Sequence, residues 1–121
     1  MDIKKITVNG SNFASNEYEF VNDSRKTRNG FAHDTKLFKN NVLIAENTVH
    51  YLNRTWECYR YQTVMKGCVS GLIMEMSERF ISDYKAENNI KRLTAEKRAE
   101  VNKQFEDLAE IKELREVYNQ L

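Results

Sequence analysis

Two periodicities divide this chain near Leu52. Before it, apolar positions come in short runs broken by turn residues; beyond it, they recur every three or four residues. Ile3 to Val8 is rich in β-branched residues and stops at Asn9-Gly10, whose members tolerate positive φ, so a first strand is predicted there. Glu17-Tyr18-Glu19-Phe20-Val21 alternates polar and aromatic positions before Asn22-Asp23-Ser24. Arg25-Lys26-Thr27-Arg28 then forms a loop or a strand end leading into Asn29-Gly30. Phe31 to Phe38 and Val42 to Leu52 flank Asn40-Asn41, a pair able to take left-handed conformations, and predict a hairpin. With those asparagines as a two-residue loop, Phe38 faces Leu43 and Phe31 faces His50, to within one residue of register. Leu37 and Phe38 are both apolar, as are Val42, Leu43 and Ile44, so the pattern leaves the buried face open.

From Thr55 the spacing becomes helical. Tyr61, Met65, Val69, Leu72, Met76 and Phe80 form a stripe flanked by Cys68 and Ile73, predicting a core-facing helix from Thr55 to about Tyr84. Asn53 or Thr55 would cap it, with Glu57 in its first turn. Such a helix is roughly 45 Å long and must bend or protrude. Gly67 and Gly71 lie one turn apart and each costs about 1 kcal/mol relative to alanine, which points to close approach of another backbone, a kink, or ligand access. Asn88-Asn89 ends the helix, and Thr94 caps a second one with Glu96 in its first turn. Val101, Phe105, Leu108, Ile111, Leu114, Tyr118 and Leu121 make one amphipathic stripe of about seven turns. That stripe must fold back on the first helix, pair with another chain, or both.

These elements define an α+β fold in a single domain over 1–121, with a β-rich part at 1–53 and a helical part at 54–121. The sheet is antiparallel, with three or four strands, packed by a long helix and a C-terminal amphipathic helix. A homodimer is expected from the length of the apolar stripe. Gly67, Gly71, Phe105, Leu108 and Ile111 are the positions that would serve a dimer or helix packing.

Composition narrows the chemistry. The 121 residues fit one domain, and 19 basic against 18 acidic side chains give a net charge of +1, so net charge encodes neither a broad nucleic-acid field nor an acidic mimic. Any such role rests on a local patch. Cys58 and Cys68, on one predicted helix and roughly 15 Å apart, cannot bridge each other. No apolar run reaches the roughly 18 residues of a membrane span, and Met1-Asp2-Ile3-Lys4-Lys5 lacks the apolar core of a signal peptide. The expected setting is a reducing cytosol, with no membrane partner.

The junction Asn53-Arg54-Thr55-Trp56-Glu57-Cys58-Tyr59-Arg60-Tyr61-Gln62 holds the one tryptophan among tyrosines and arginines. If helical, Trp56, Tyr59, Arg60 and Thr63 share a face, with Arg60 over Trp56 and Glu57 beside Arg60. Aromatics beside arginines anchor a helix on a sheet or grip a partner, and residue types do not separate these uses. Arg25, Lys26, Arg28, Arg54, Trp56, Tyr59 and Arg60 are the candidate partner-binding residues; Lys66 adds a further cation for nucleic acid. No zinc-finger, helix-turn-helix or RNA-recognition signature is present. His33 and His50 fall diagonally on one face of the predicted hairpin, about 7–8 Å apart at Cβ, with no third ligand, so no metal is expected. Cys58 with either histidine is the one nucleophile–base pairing worth naming, nothing brings the partners together, and no phosphate-cradling loop occurs. The expectation is a protein that is not an enzyme and uses no cofactor.

The segment from Asn53 to Val64, preceded by Gly30-Phe31-Ala32-His33 and the hairpin, resembles a recurrent pattern in small proteins of phages and mobile elements of Gram-positive bacteria. The resemblance covers about residues 29–69. It implies an accessory protein that binds a host or defence protein or a nucleoprotein complex as inhibitor or regulator, CRISPR effectors among the targets. The alternative is a module binding DNA or RNA directly through a local arginine and aromatic patch.

Overall fold

The computed structural model describes residues 1–10, 14–52 and 60–121. Four strands, β1 (Asp2–Asn9), β2 (Ser15–Thr27), β3 (Gly30–Lys39) and β4 (Val42–Tyr51), form an antiparallel meander in the order β1-β2-β3-β4. Among the described residues three helices follow: α1 (Gln62–Glu87), α2 (Ala95–Glu106) and α3 (Ala109–Asn119). The chain is α+β, with the sheet at the N-terminus and the helices on one of its faces.

Register decides which face that is. Across the strands, Lys4, Phe20, Leu37 and Ala45 form one row, Asn22, Thr35 and Asn47 the next, then Ser24, His33 and Val49, then Lys26, Phe31 and Tyr51. Side chains in these rows point to the helices. Ile6, Val8, Tyr18, Phe20 and Leu37 from this face join Met65, Cys68, Val69 and Ile73 of α1, Phe105 of α2, and Ile111, Leu114 and Val117 of α3 in one core. Fully burying a side chain such as Phe20 contributes roughly 1.5–3 kcal/mol.

Asn40 and Asn41 take φ of 49° and 69°, so the predicted two-residue turn forms, and Phe38 pairs with Leu43 as expected. One residue further the ladder slips: Leu37 pairs with Ala45, leaving Ile44 as an extra residue in β4. Phe31 therefore faces Tyr51, not His50. The slip also corrects the expected histidine pair. His33 lies on the helix-covered face opposite Val49, while His50 pairs with Ala32 and points to the other side of the sheet.

The first helix begins later than its periodicity suggests. Arg60 and Tyr61 precede it, with Tyr61 as N-cap at φ −91°, ψ 0°, so Arg60 is not part of the helix, and Trp56 and Tyr59, expected to share its face, lie outside the described residues. The caps expected at Asn53 and Thr55, and the first-turn Glu57, lie outside the described residues, as does Cys58, which precedes the helix carrying Cys68. The C-terminal end follows expectation: Asn88 donates its side-chain amide to the Tyr84 carbonyl at 2.9 Å, and Asn89 takes φ 53°.

The expected seven-turn C-terminal helix is two helices. Thr94 caps α2 by accepting from the Lys97 amide at 3.1 Å, but the chain turns at Asp107 and Leu108, where Leu108 is extended at ψ 134° and 41% exposed. The turn lets α2 pack on α1, where Phe80 meets Phe105 at 5.6 Å between ring centroids, while α3 reaches the sheet through Asn16 and Glu113 at 2.7 Å. Arg115 spans the break to Glu106 at 2.6 Å. Of the expected stripe, Val101, Phe105, Ile111 and Leu114 are buried within the chain, Tyr118 and Leu121 are half-buried and Leu108 is exposed, so most of it is spent on folding back.

The two glycines have different surroundings. A Cβ at Gly67 would lie 2.5 Å from Asn47 Nδ2, so here the helix approaches the sheet closely; a Cβ at Gly71 would meet nothing within 4 Å. No helix among the described residues is long and apolar enough to cross a membrane.

Candidate functional site

The β2–β3 hairpin outruns β1, whose first pairing is Asp2 with Asn22. Beyond that row Ser24, Lys26, Phe31 and His33 have no β1 neighbour, and a ring cluster occupies the helix side of the sheet. Phe31 and Tyr51 stack at 5.3 Å and 18°, His33 makes T-shaped contacts with both, and Tyr61 tilts onto His33 at 4.6 Å. Ser24 Oγ lies 2.7 Å from His33 Nδ1 and 3.0 Å from the Tyr61 hydroxyl. Because Tyr61 immediately precedes α1, this network pins the start of the helix to the sheet.

His33 is 2% exposed, and its Nε2 finds no hydrogen-bond partner among the described residues. The Ser24–His33 contact has the residue types of a nucleophile and a base. Its hydroxyl is shared with Tyr61, however, and the second ring nitrogen is enclosed. Among the described residues no group of three or more His, Cys, Asp or Glu side chains could hold a metal.

Around the rings the surface is cationic. Lys26, on the helix-side face, Arg28, in the β2–β3 turn, and Arg60, beside Tyr61, are exposed, while Phe31, Tyr51 and Tyr61 are half-buried. A cleft of about 320 Å³ continues toward β1, lined by Asp2, Lys4, Asn22, Arg60, Tyr61 and Met65. Its buried Asn22 accepts from Thr35 and directs its amide at Met65 Sδ, 3.5 Å away. The first turn of α1 carries no acidic residue and its N-cap makes no side-chain hydrogen bond, so the positive end of the helix dipole adds to the cations here.

The candidate residues do not all converge. Arg25 points to the opposite face from Lys26, where its Nε donates to Asp34 Oδ2 at 2.8 Å. Arg54, Trp56 and Tyr59 lie outside the described residues. Of the proposed packing positions, Phe105 and Ile111 are buried inside the chain, Gly67 meets Asn47, and Leu108 and Gly71 are exposed. Sequence reasoning missed Ser24, Phe31, Tyr51 and Lys4. A register one residue longer would have paired Phe31 with Tyr51; nothing in the sequence marks Ser24.

No family model matches the chain, and no curated protein or solved structure matches it at a significant level.

Proposed function

We propose that this chain is a binding protein without a reaction of its own, an accessory protein of a phage or mobile element that engages a host or defence protein or a nucleoprotein complex and inhibits or regulates it. The observation that supports this is the surface at the end of the sheet, where exposed Lys26, Arg28 and Arg60 surround the half-buried Phe31, Tyr51 and Tyr61. Arginine and tyrosine are enriched among residues that dominate binding energy, and cations fit an acidic partner surface. The test is a cross-linking capture from host lysate with the native chain and a Lys26→Glu/Arg28→Glu variant. A partner recovered with the native chain and lost with the variant is expected; equal recovery sinks the assignment to this surface.

Direct binding of a nucleic-acid strand is the second reading, favoured by rings and cations on the same side of the sheet. It predicts affinity that falls steeply with salt. An absence of mobility shift with single- and double-stranded DNA and RNA at low salt removes it and leaves the first reading standing.

A further inference from the structure

The sheet has two edges, β1 and β4. They differ in chemistry. β1 presents Asp2, Lys4 and Lys5, all exposed, whereas the ten residues of β4 include one carboxylate, Glu46, and no lysine, arginine or proline. Charged side chains, proline and bulges are the usual protection of an edge; past its bulge at Ile44, the stretch of β4 from Ala45 to Tyr51 carries only Glu46 of these and is a template for another strand. Among the described residues no strand pairs with the outer edge of β4.

The helix beside that edge is also open. α1 packs on β3 and β4, and α3 packs on it from the β1 side. The flank of α1 turned away from α3 therefore overlooks β4, as the contact of Gly67 with Asn47 shows. By helical spacing it carries Thr63, Gly67, Ser70, Gly71 and Met74. A Cβ at Gly71 would meet nothing within 4 Å, and Met74 is 62% exposed, so beyond Gly67, where Asn47 sits, nothing in the described chain uses the room that this flank leaves.

We infer that β4 pairs antiparallel with β4 of a second copy of this chain, joining two sheets into one of eight strands with the two α1 helices side by side. The two-fold is centred on Thr48, which sets Glu46 of each copy opposite His50 of the other, on the same face; centring it on Glu46 would instead oppose two carboxylates, each 4.0 Å from its own Lys36 Nζ. The distances agree. Strands are about 4.8 Å apart, so helices lying over β3 and β4 of each copy have axes on the order of 10 Å apart across the two-fold, the spacing of packed helices. A strand pair alone covers less than the roughly 1,200 Å² that a stable interface buries, and the α1 flank is what carries the contact past it. The C-terminal apolar stripe takes no part: apart from the exposed Leu108 it packs within each copy.

Sedimentation velocity of the full chain over a range of concentrations tests this. A dimer mass is expected, with self-association weakened at least tenfold by Gly71→Leu, which fills open space in the single chain but separates the helices. Thr48→Cys in a Cys58→Ser background is expected to give a disulfide-linked dimer on treatment with diamide, because the two residues meet at the two-fold. A monomer mass throughout, as when the edge instead serves a different protein, overturns the inference. So does a dimer that Gly71→Leu leaves unchanged, or one whose Thr48→Cys form does not cross-link.

Discussion

Asn47 donates its side-chain amide to the carbonyl oxygen of Val64 at 3.0 Å, and Gly67, three residues along the helix, leaves the space in which that amide sits. Sheet and helix are thus joined by a polar contact that depends on a missing side chain.

Alanine at position 67 would gain about 1 kcal/mol of helix propensity but would force the Asn47 amide aside, losing a hydrogen bond worth about 1 kcal/mol. Gly67→Ala is therefore expected to change stability little in the native background and to stabilise by about 1 kcal/mol in an Asn47→Ala background. Urea unfolding of the four members of the cycle measures the coupling; additivity would show that the contact does not form.

Gly30 has no such latitude. A Cβ there would overlap the Tyr51 carbonyl oxygen and lie 2.9 Å from its carbon, both main-chain atoms of the neighbouring strand. Gly30→Ala should cost about 2 kcal/mol or more by forcing β3 and β4 apart at the ring cluster. An unchanged denaturation midpoint would contradict this close approach.

Asp34 links three strands, accepting from Arg25 Nε at 2.8 Å and Thr48 Oγ1 at 2.6 Å. The Arg25 hydrogen bond, followed by that of Thr48, holds its carboxyl below the ordinary value of 3.8. A carboxyl depressed on folding contributes stability that is whole above its unfolded pKa of about 4 and is lost as pH falls through the lower folded value. The side chain is 35% exposed, so solvent screening limits this to about 1 kcal/mol or less. The stability gap between native and Asp34→Asn chains should close on acidification through the carboxylate range, and a pH-independent gap would refute it.

Cys68 is 2% exposed, and burial, with the Glu46 carboxylate as a lesser cause, pushes its thiol up from 9.0 to about 11. A thiol so enclosed presents little thiolate. In a Cys58→Ser background no thiol should titrate with Ellman's reagent in the folded chain and one should titrate in denaturant. Rapid native reaction would place Cys68 outside the core.

The chemistry of single residues announced much of this architecture. Asn40-Asn41 made its turn because asparagine tolerates positive φ, Thr94 capped α2 because its hydroxyl reaches the third amide beyond it, and Asn89 closed α1 in the left-handed region. The candidate surface was less legible. Lys26, Arg28 and Arg60 were visible as cations, but their ring neighbours depended on a bulge at Ile44, and consecutive Val42, Leu43 and Ile44 carry no alternation to betray it.

By itself the sequence determined that a strand-rich half precedes a helical one, because period and turn chemistry are local properties, but not that α1 begins at Gln62 or that the last helix is two. Tertiary structure alone decided that His33 and His50 part to opposite faces, that Arg25 turns away from Lys26, and that the C-terminal stripe breaks at Leu108 to reach both α1 and the sheet. Those outcomes turn on register and on competition among surfaces for the same core, which are set by residues far apart in the chain.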